Sequence, residues 1–242
     1  MSAPSPDLPD LAALRQLGER VRPLSAAAER VLPVPEAFAD LIPGGGLQRG
    51  STVATAGSAA TSLALALAGP TTAAGSWCAV VGLAHLGLLA AAELGVALER
   101  TVLVDDPGAE GWASTVAALL DAFEVVLVRP SRPVSPSAHR RLTARARERG
   151  AVLVPVGATA ADWGTAPDLT LTARDSRWEG IGVGHGRLRA RQVEVEVVGR
   201  RGATRPRRGA LWLPAPDGGI RRAEPAEVAP PAEVAPRLAE VG

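Results

Sequence analysis

The sequence predicts an α/β protein with a mostly parallel sheet flanked by helices and an antiparallel C-terminal extension. Three observations carry that prediction. Short, almost continuously apolar runs such as 124–128 and 151–156 alternate with helix-length segments. The stretch 52–68 reads as a strand, a small-residue turn and an apolar helix, the layout of a phosphate-binding loop. After residue 165 the pattern changes to alternating apolar and polar positions. Continuous apolar strands between helices belong to a sheet covered on both faces, whereas alternation marks strands with one solvated face.

Taken in order, residues 1–32 form a helical segment. Pro9 and Asp10 start a helix with Leu11, Leu14, Leu17 and Val21 on one face; Pro23 ends it, and 25–32 form a second short helix. One domain spans 33–216. Strands are expected at 52–55, 77–81, 101–104, 124–128 and 151–156, with helices at 60–68, 84–97, 110–122 and 136–149 between them. Period-two strands follow in L-T-L-T-A, R-L-R-A-R, Q-V-E-V-E-V-V and A-L-W-L-P. Residues 217–242, which repeat P-A-E-V-A-P in tandem, have too little apolar bulk for a core and read as a disordered tail.

Composition excludes several classes. A net charge of +1 argues against a protein that coats DNA through global charge, so any nucleic-acid contact must be a local patch. All 26 basic residues are arginine; lysine, asparagine and tyrosine are absent, as in a high-GC genome, so arginine number alone does not signal phosphate recognition. A lone cysteine, Cys78, cannot form a disulfide framework or a zinc site within one chain, which suits a reduced cytoplasmic setting. The N-terminus lacks signal-peptide features, and apolar stretches are interrupted too soon to span a membrane.

The phosphate-binding layout is degenerate. In the frame starting at Gly57, with Ser58 and Thr61 in the loop, the second glycine of G-x-x-x-x-G-K-[ST] falls on Ser62 and the lysine on Leu63. No other frame supplies a lysine.

Four segments in order resemble RecA-type recombinases: L-I-P-G-G-G-L-Q-R-G-S-T-V (41–53) leading into the loop strand, S-W-C-A-V-V-G-L-A-H-L (76–86), A-E-L-G-V-A-L-E-R-T-V-L-V (92–104) and E-V-V-L-V-R-P (124–130). The resemblance covers roughly residues 34–200. It implies a RecA-like P-loop-type core. It also implies that the water-activating glutamate maps to Ala84 and the magnesium-holding acid to Arg129, so both are lost. Phosphoryl transfer rests on lysine, metal and an oriented water, and all three contributions are missing at the matched positions. The chain is therefore similar to the actinobacterial ImuA-type proteins, RecA- and SulA-related and degenerate at the nucleotide site. That resemblance implies a non-catalytic, cofactor-free accessory of mutagenic translesion synthesis. Its partner would be an ImuB-type Y-family-like protein and, indirectly, an error-prone DnaE-type polymerase. A weak ATPase with an arginine in place of the lysine, and a SulA-like inhibitor of cell division, are the alternatives.

For single-stranded DNA the candidate segment is 174–191, with Arg174, Arg177, Arg187, Arg189 and Arg191 and with Trp178 as a stacking platform. The resemblance places a mobile DNA-contacting loop there. The same residues also read as a hairpin with solvated arginines, partly neutralised by Glu194 and Glu196. Arg200, Arg201, Arg205, Arg207 and Arg208 form a second cluster in a Gly/Pro-broken loop, and G-V-G-H-G reads as a turn. Asp105 and Asp106 suit a turn and helix start better than a metal site. His85 and His139 lack metal-ligand spacing, and His85 reads as packing.

Overall fold

The structure is a computed structural model that describes residues 30–157, 163, 166–182, 185–200 and 203–224. The helix expected at 9–22 and the tandem P-A-E-V-A-P repeat lie outside the described residues.

The fold begins earlier than expected. β1 (Val31–Pro33) pairs antiparallel with β2 (Gly46–Gln48), so Val31 and Leu32 are strand rather than the end of a helix. Leu32 and Val34 each precede a proline, which pushes them to extended backbone.

The central elements are β3 (Val53–Gly57), α1 (Ala60–Ala73), β4 (Cys78–Val81), α2 (Leu88–Glu93), β5 (Thr101–Val104), α3 (Gly108–Ala122), β6 (Val125–Val128), α4 (Pro136–Arg149) and β7 (Val152–Pro155). β5, β4, β6 and β7 lie side by side in parallel. Bridges Thr52–Leu153 and Thr55–Val156 join β7 to β3, whose other side pairs in parallel with β8 (Leu169–Gly182). Alternate residues feed two cores. Val125 and Leu127 pack on the α1 side, Val126 and Val128 on the side of α3 and α4, the two-sided burial of a parallel sheet. The helix expected over 84–97 shortens to α2, because Gly87 and Gly95 flank it and Gly95 has φ +87°. α4 carries complete end signals: Ser135 accepts from the Ala138 amide, Pro136 opens the helix and Gly150 closes it in the left-handed region.

β9 (His185–Gly199), β10 (Arg207–Trp212) and β11 (Arg221–Arg222) complete the sheet in antiparallel order. β11 falls inside the segment read as a tail. P-D-G-G turns the chain back, the Ala215 amide donates to Gly219 O, and Ala223 N reaches Ala210 O. The folded unit thus extends past 216. Among the described residues no helix is long and apolar enough to cross a membrane.

Candidate functional site

The site is built where β3 meets α1. β3 ends at Gly57, whose φ is +82° and where a Cβ would lie 2.1 Å from Ala173 O on β8. Only Ser58 and Ala59 then separate the strand from α1. A phosphate-wrapping loop needs a longer excursion before its helix, so this is a tight βα turn. Leu63, the matched lysine position, is fully buried in the core. Thr61 and Ser62 are half-buried in the first helical turn. α1 has no side-chain cap at Ala59 and no acid in its first turn, so its free amides face the turn as a partial positive charge.

Arg129 leaves the end of β6. The backbone there is crowded by Gly82, where a Cβ would stand 2.2 Å from Arg129 O. Arg129 Nη2 donates to Thr61 Oγ1 at 3.0 Å and Nε to Val156 O at 3.4 Å. A cation thus lies against the first turn of α1 from the position matched to a metal-binding acid; magnesium takes oxygen ligands, which a guanidinium cannot supply. Ala84 sits exposed in the turn after β4, with a methyl group where the resemblance has a base. His85 beside it is exposed as well, which corrects its reading as a packing residue.

The segment 174–191 is a β-ribbon, not a loop. β8 and β9 continue past the last β3 pair, Gly57–Ala173, as far as Gly182–His185. A bulge between Ala173 and Asp175 shifts the register, and such a shift turns the following side chains to the other face. Ser176 and Trp178, opposite Val193 and Arg191, thereby join the face that looks towards α1. Ser176 Oγ lies 3.0 Å from Ser58 Oγ and also accepts from Arg191 Nη2 at 3.0 Å. The Arg191 guanidinium sits 5.2 Å from the Trp178 ring centroid. Arg191 is only 7% exposed and its Nε has no hydrogen-bond partner among the described residues; burial pulls its pKa down.

The structure therefore divides the candidate DNA residues. Arg187 and Arg189 are exposed and lie where the ladder slips a second time, between the Glu179–Ala190 and Ile181–Gly186 pairs. Arg174 lies on the opposite face, where it and Arg208 both bind Glu196. Arg174 first and Arg208 second hold that carboxyl below the usual glutamate range. Arg177, opposite Gln192, is on this outer face too. Of the second basic cluster, Arg207 and Arg208 open β10, and Arg207 Nη1 donates to Asp40 O. Ser176 carried no signal in the sequence, because only the bulge brings it to the turn.

The other candidates have structural explanations. Asp106 Oδ1 accepts the Gly108 amide at the start of α3. His139 is stacked on Trp163 with centroids 4.1 Å apart, edge-on to Trp112, and burial lowers its pKa. Burial pushes the Cys78 thiol up to about 12, so it stays protonated and inert. A cleft of about 210 Å³ at the same edge of the sheet is lined by Asp106, Trp112, Ser131 and Arg132 among others, with none of the turn or ribbon residues. Among the described residues no cluster of three His, Cys, Asp or Glu side chains is placed to hold a metal.

The order of strands and the strand–turn–helix define the class: a RecA-like α/β fold. It is similar to the crystal structure of the RadB recombinase, with a TM-score of 0.54 at 15% identity over 78% of this chain and 97% of that one. The chain belongs to the family of the MT3502 N-terminal domain, which matches residues 40–163. It is also 32% identical over 184 residues to Uncharacterized protein Rv3395c of Mycobacterium tuberculosis, covering 76% of this chain and 79% of that protein.

Proposed function

We propose that this protein is a non-catalytic, cytoplasmic RecA-like accessory of DNA-damage-induced mutagenic translesion synthesis, of the ImuA type. It binds an ImuB-type Y-family-like protein, is linked through it to a DnaE-type polymerase, and contacts single-stranded DNA. The observation that carries the non-catalytic part is the two-residue turn between Gly57 and Ala60. Too few backbone amides remain there to wrap a triphosphate, and Arg129 lies where a metal-holding acid would be needed. The accessory role and its partners rest on the resemblance of the glycine-rich lead-in at 41–53 and the three segments that follow it.

A weak ATPase remains the second reading, favoured by one contact: Arg129 brings a cation to Thr61. Pull-down with the ImuB-type protein of the same genome, with ATP titrated into the same sample, separates the two. Capture of that protein without ATP affinity supports the accessory. Magnesium-dependent ATP binding without capture overturns it. A bulky Gly57 variant is a poor control here, because a Cβ at that position strikes the β8 backbone.

A further inference from the structure

We propose that the shortened β3–α1 turn is a seat for one phosphodiester group of single-stranded nucleic acid, held between Arg191 and Arg129, with Trp178 stacking on an adjoining base. The inference rests on the single-strand part of the reading above and gives that contact an address.

Four observations carry it. The N-terminus of α1, a 14-residue helix, has neither a capping side chain nor an acid in its first turn, so its amides lack a negative partner. Arg191 is more than nine-tenths buried, its Nε is unpartnered among the described residues, and its Nη2 is one hydroxyl away from the turn through Ser176 and Ser58. Among the described residues neither Arg191 nor Arg129 pairs with a carboxylate; both rest on hydroxyl or carbonyl oxygens and, for Arg191, an indole face. A buried cation without a counter-charge is costly, and an anion completes the group. Finally, the ribbon's acids are segregated: Asp175 opposite Glu194, and Glu179 opposite Ala190, stand on the other face. The face towards the turn carries Ser176, Trp178 and Arg191.

A polymer fits better than a nucleotide. Two loop residues accommodate one phosphate rather than a chain of three with its metal. Trp178 is 43% exposed, and the exposed Arg187 and Arg189 lie further out along the ribbon, where a strand of nucleotides can extend.

The test is fluorescence anisotropy of a labelled oligothymidylate with the full chain, across a salt series. Trp178→Ala is expected to weaken binding about tenfold, within the range for one lost stack. Arg191→Met is expected to weaken it and to flatten the slope of log K against log salt by about 0.7, the value for one phosphate contact on a single strand. Arg174→Ala, on the outer face, is expected to leave binding unchanged. If Arg191→Met does not fold, Trp178→Ala and Arg189→Ala decide. Binding that falls with Arg174→Ala but not with Trp178→Ala or Arg189→Ala overturns the seat and leaves single-strand binding standing. No binding by the wild-type chain removes the single-strand reading and the seat with it. Displacement of the oligonucleotide by ATP at far lower concentration than by inorganic phosphate also overturns the seat, because the turn would then prefer a nucleotide.

Discussion

The parallel half of the sheet and the antiparallel ribbon differ in what surrounds them. β4, β6 and β7 are buried residue by residue, between α1 on one side and α3 with α4 on the other. Among the described residues the outer stretch of β8 and β9 has neither cover: Ile181 is 66% exposed and Leu188 50%. The first region has nothing chemical to offer solvent except at its carboxyl edge. The second exposes arginines and an indole, and the bulge in β8 turns Ser176 and that indole towards the edge. Two-sided burial makes a scaffold, and one-sided burial leaves a face free to bind.

The contrast can be broken hardest where the halves touch. Gly57→Val drives a Cβ into Ala173 O at a backbone that needs positive φ. It is expected to destabilise by about 3 kcal/mol or more, read by urea unfolding. Gly75→Ala, also at positive φ but with nothing within 4 Å, should cost only about 1 kcal/mol, the backbone term alone. Next in size is a matched pair of truncations. Leu127→Ala in the parallel half should lose about 2–5 kcal/mol. Leu188→Ala on the ribbon should stay within about 0.5 kcal/mol. Equal losses would erase the distinction.

Smaller effects sharpen it. Arg129→Ala removes two hydrogen bonds between the end of β6, Thr61 and Val156 and should cost about 1–2 kcal/mol in the same unfolding assay. Glu196 gives a pH signature. Its folded pKa is lowered by Arg174 and then Arg208, so its contribution is present above the unfolded value and is lost as pH falls through the folded one. Glu196→Gln should therefore be less stable than wild type at neutral pH, and the gap should close below about pH 4.3, the ordinary glutamate value. A gap independent of pH would place the effect in packing. Removing 225–242 should shift the melting temperature least, since β11 and its bond to Ala210 are retained.

Much of the fold was legible in the chain. Runs such as V-V-L-V declare central strands because a parallel sheet buries both faces, and Ser135, Pro136 and Gly150 mark the ends of α4 because each satisfies a local backbone need. β11 was missed because two residues carry no period, and β1 because its first two residues, Val31 and Leu32, were read as the end of the short helix over 25–32. At the site, the absence of lysine could be read from composition, and the RecA resemblance implied Ala84 and Arg129 at the positions of the base and the acid. That Leu63 would be core, that only Ser58 and Ala59 would span the turn, and that Arg129 would lie on Thr61 could not. Nor could the division of the arginines, with Arg174 on Glu196 and Arg191 beneath Trp178. Sequence determined the alternation of side chains along each strand, since that is a property of extended backbone. Only the tertiary structure decided which face meets the turn, because one bulged residue after Ala173 reverses the alternation, and nothing local to the chain reports where the ladder slips.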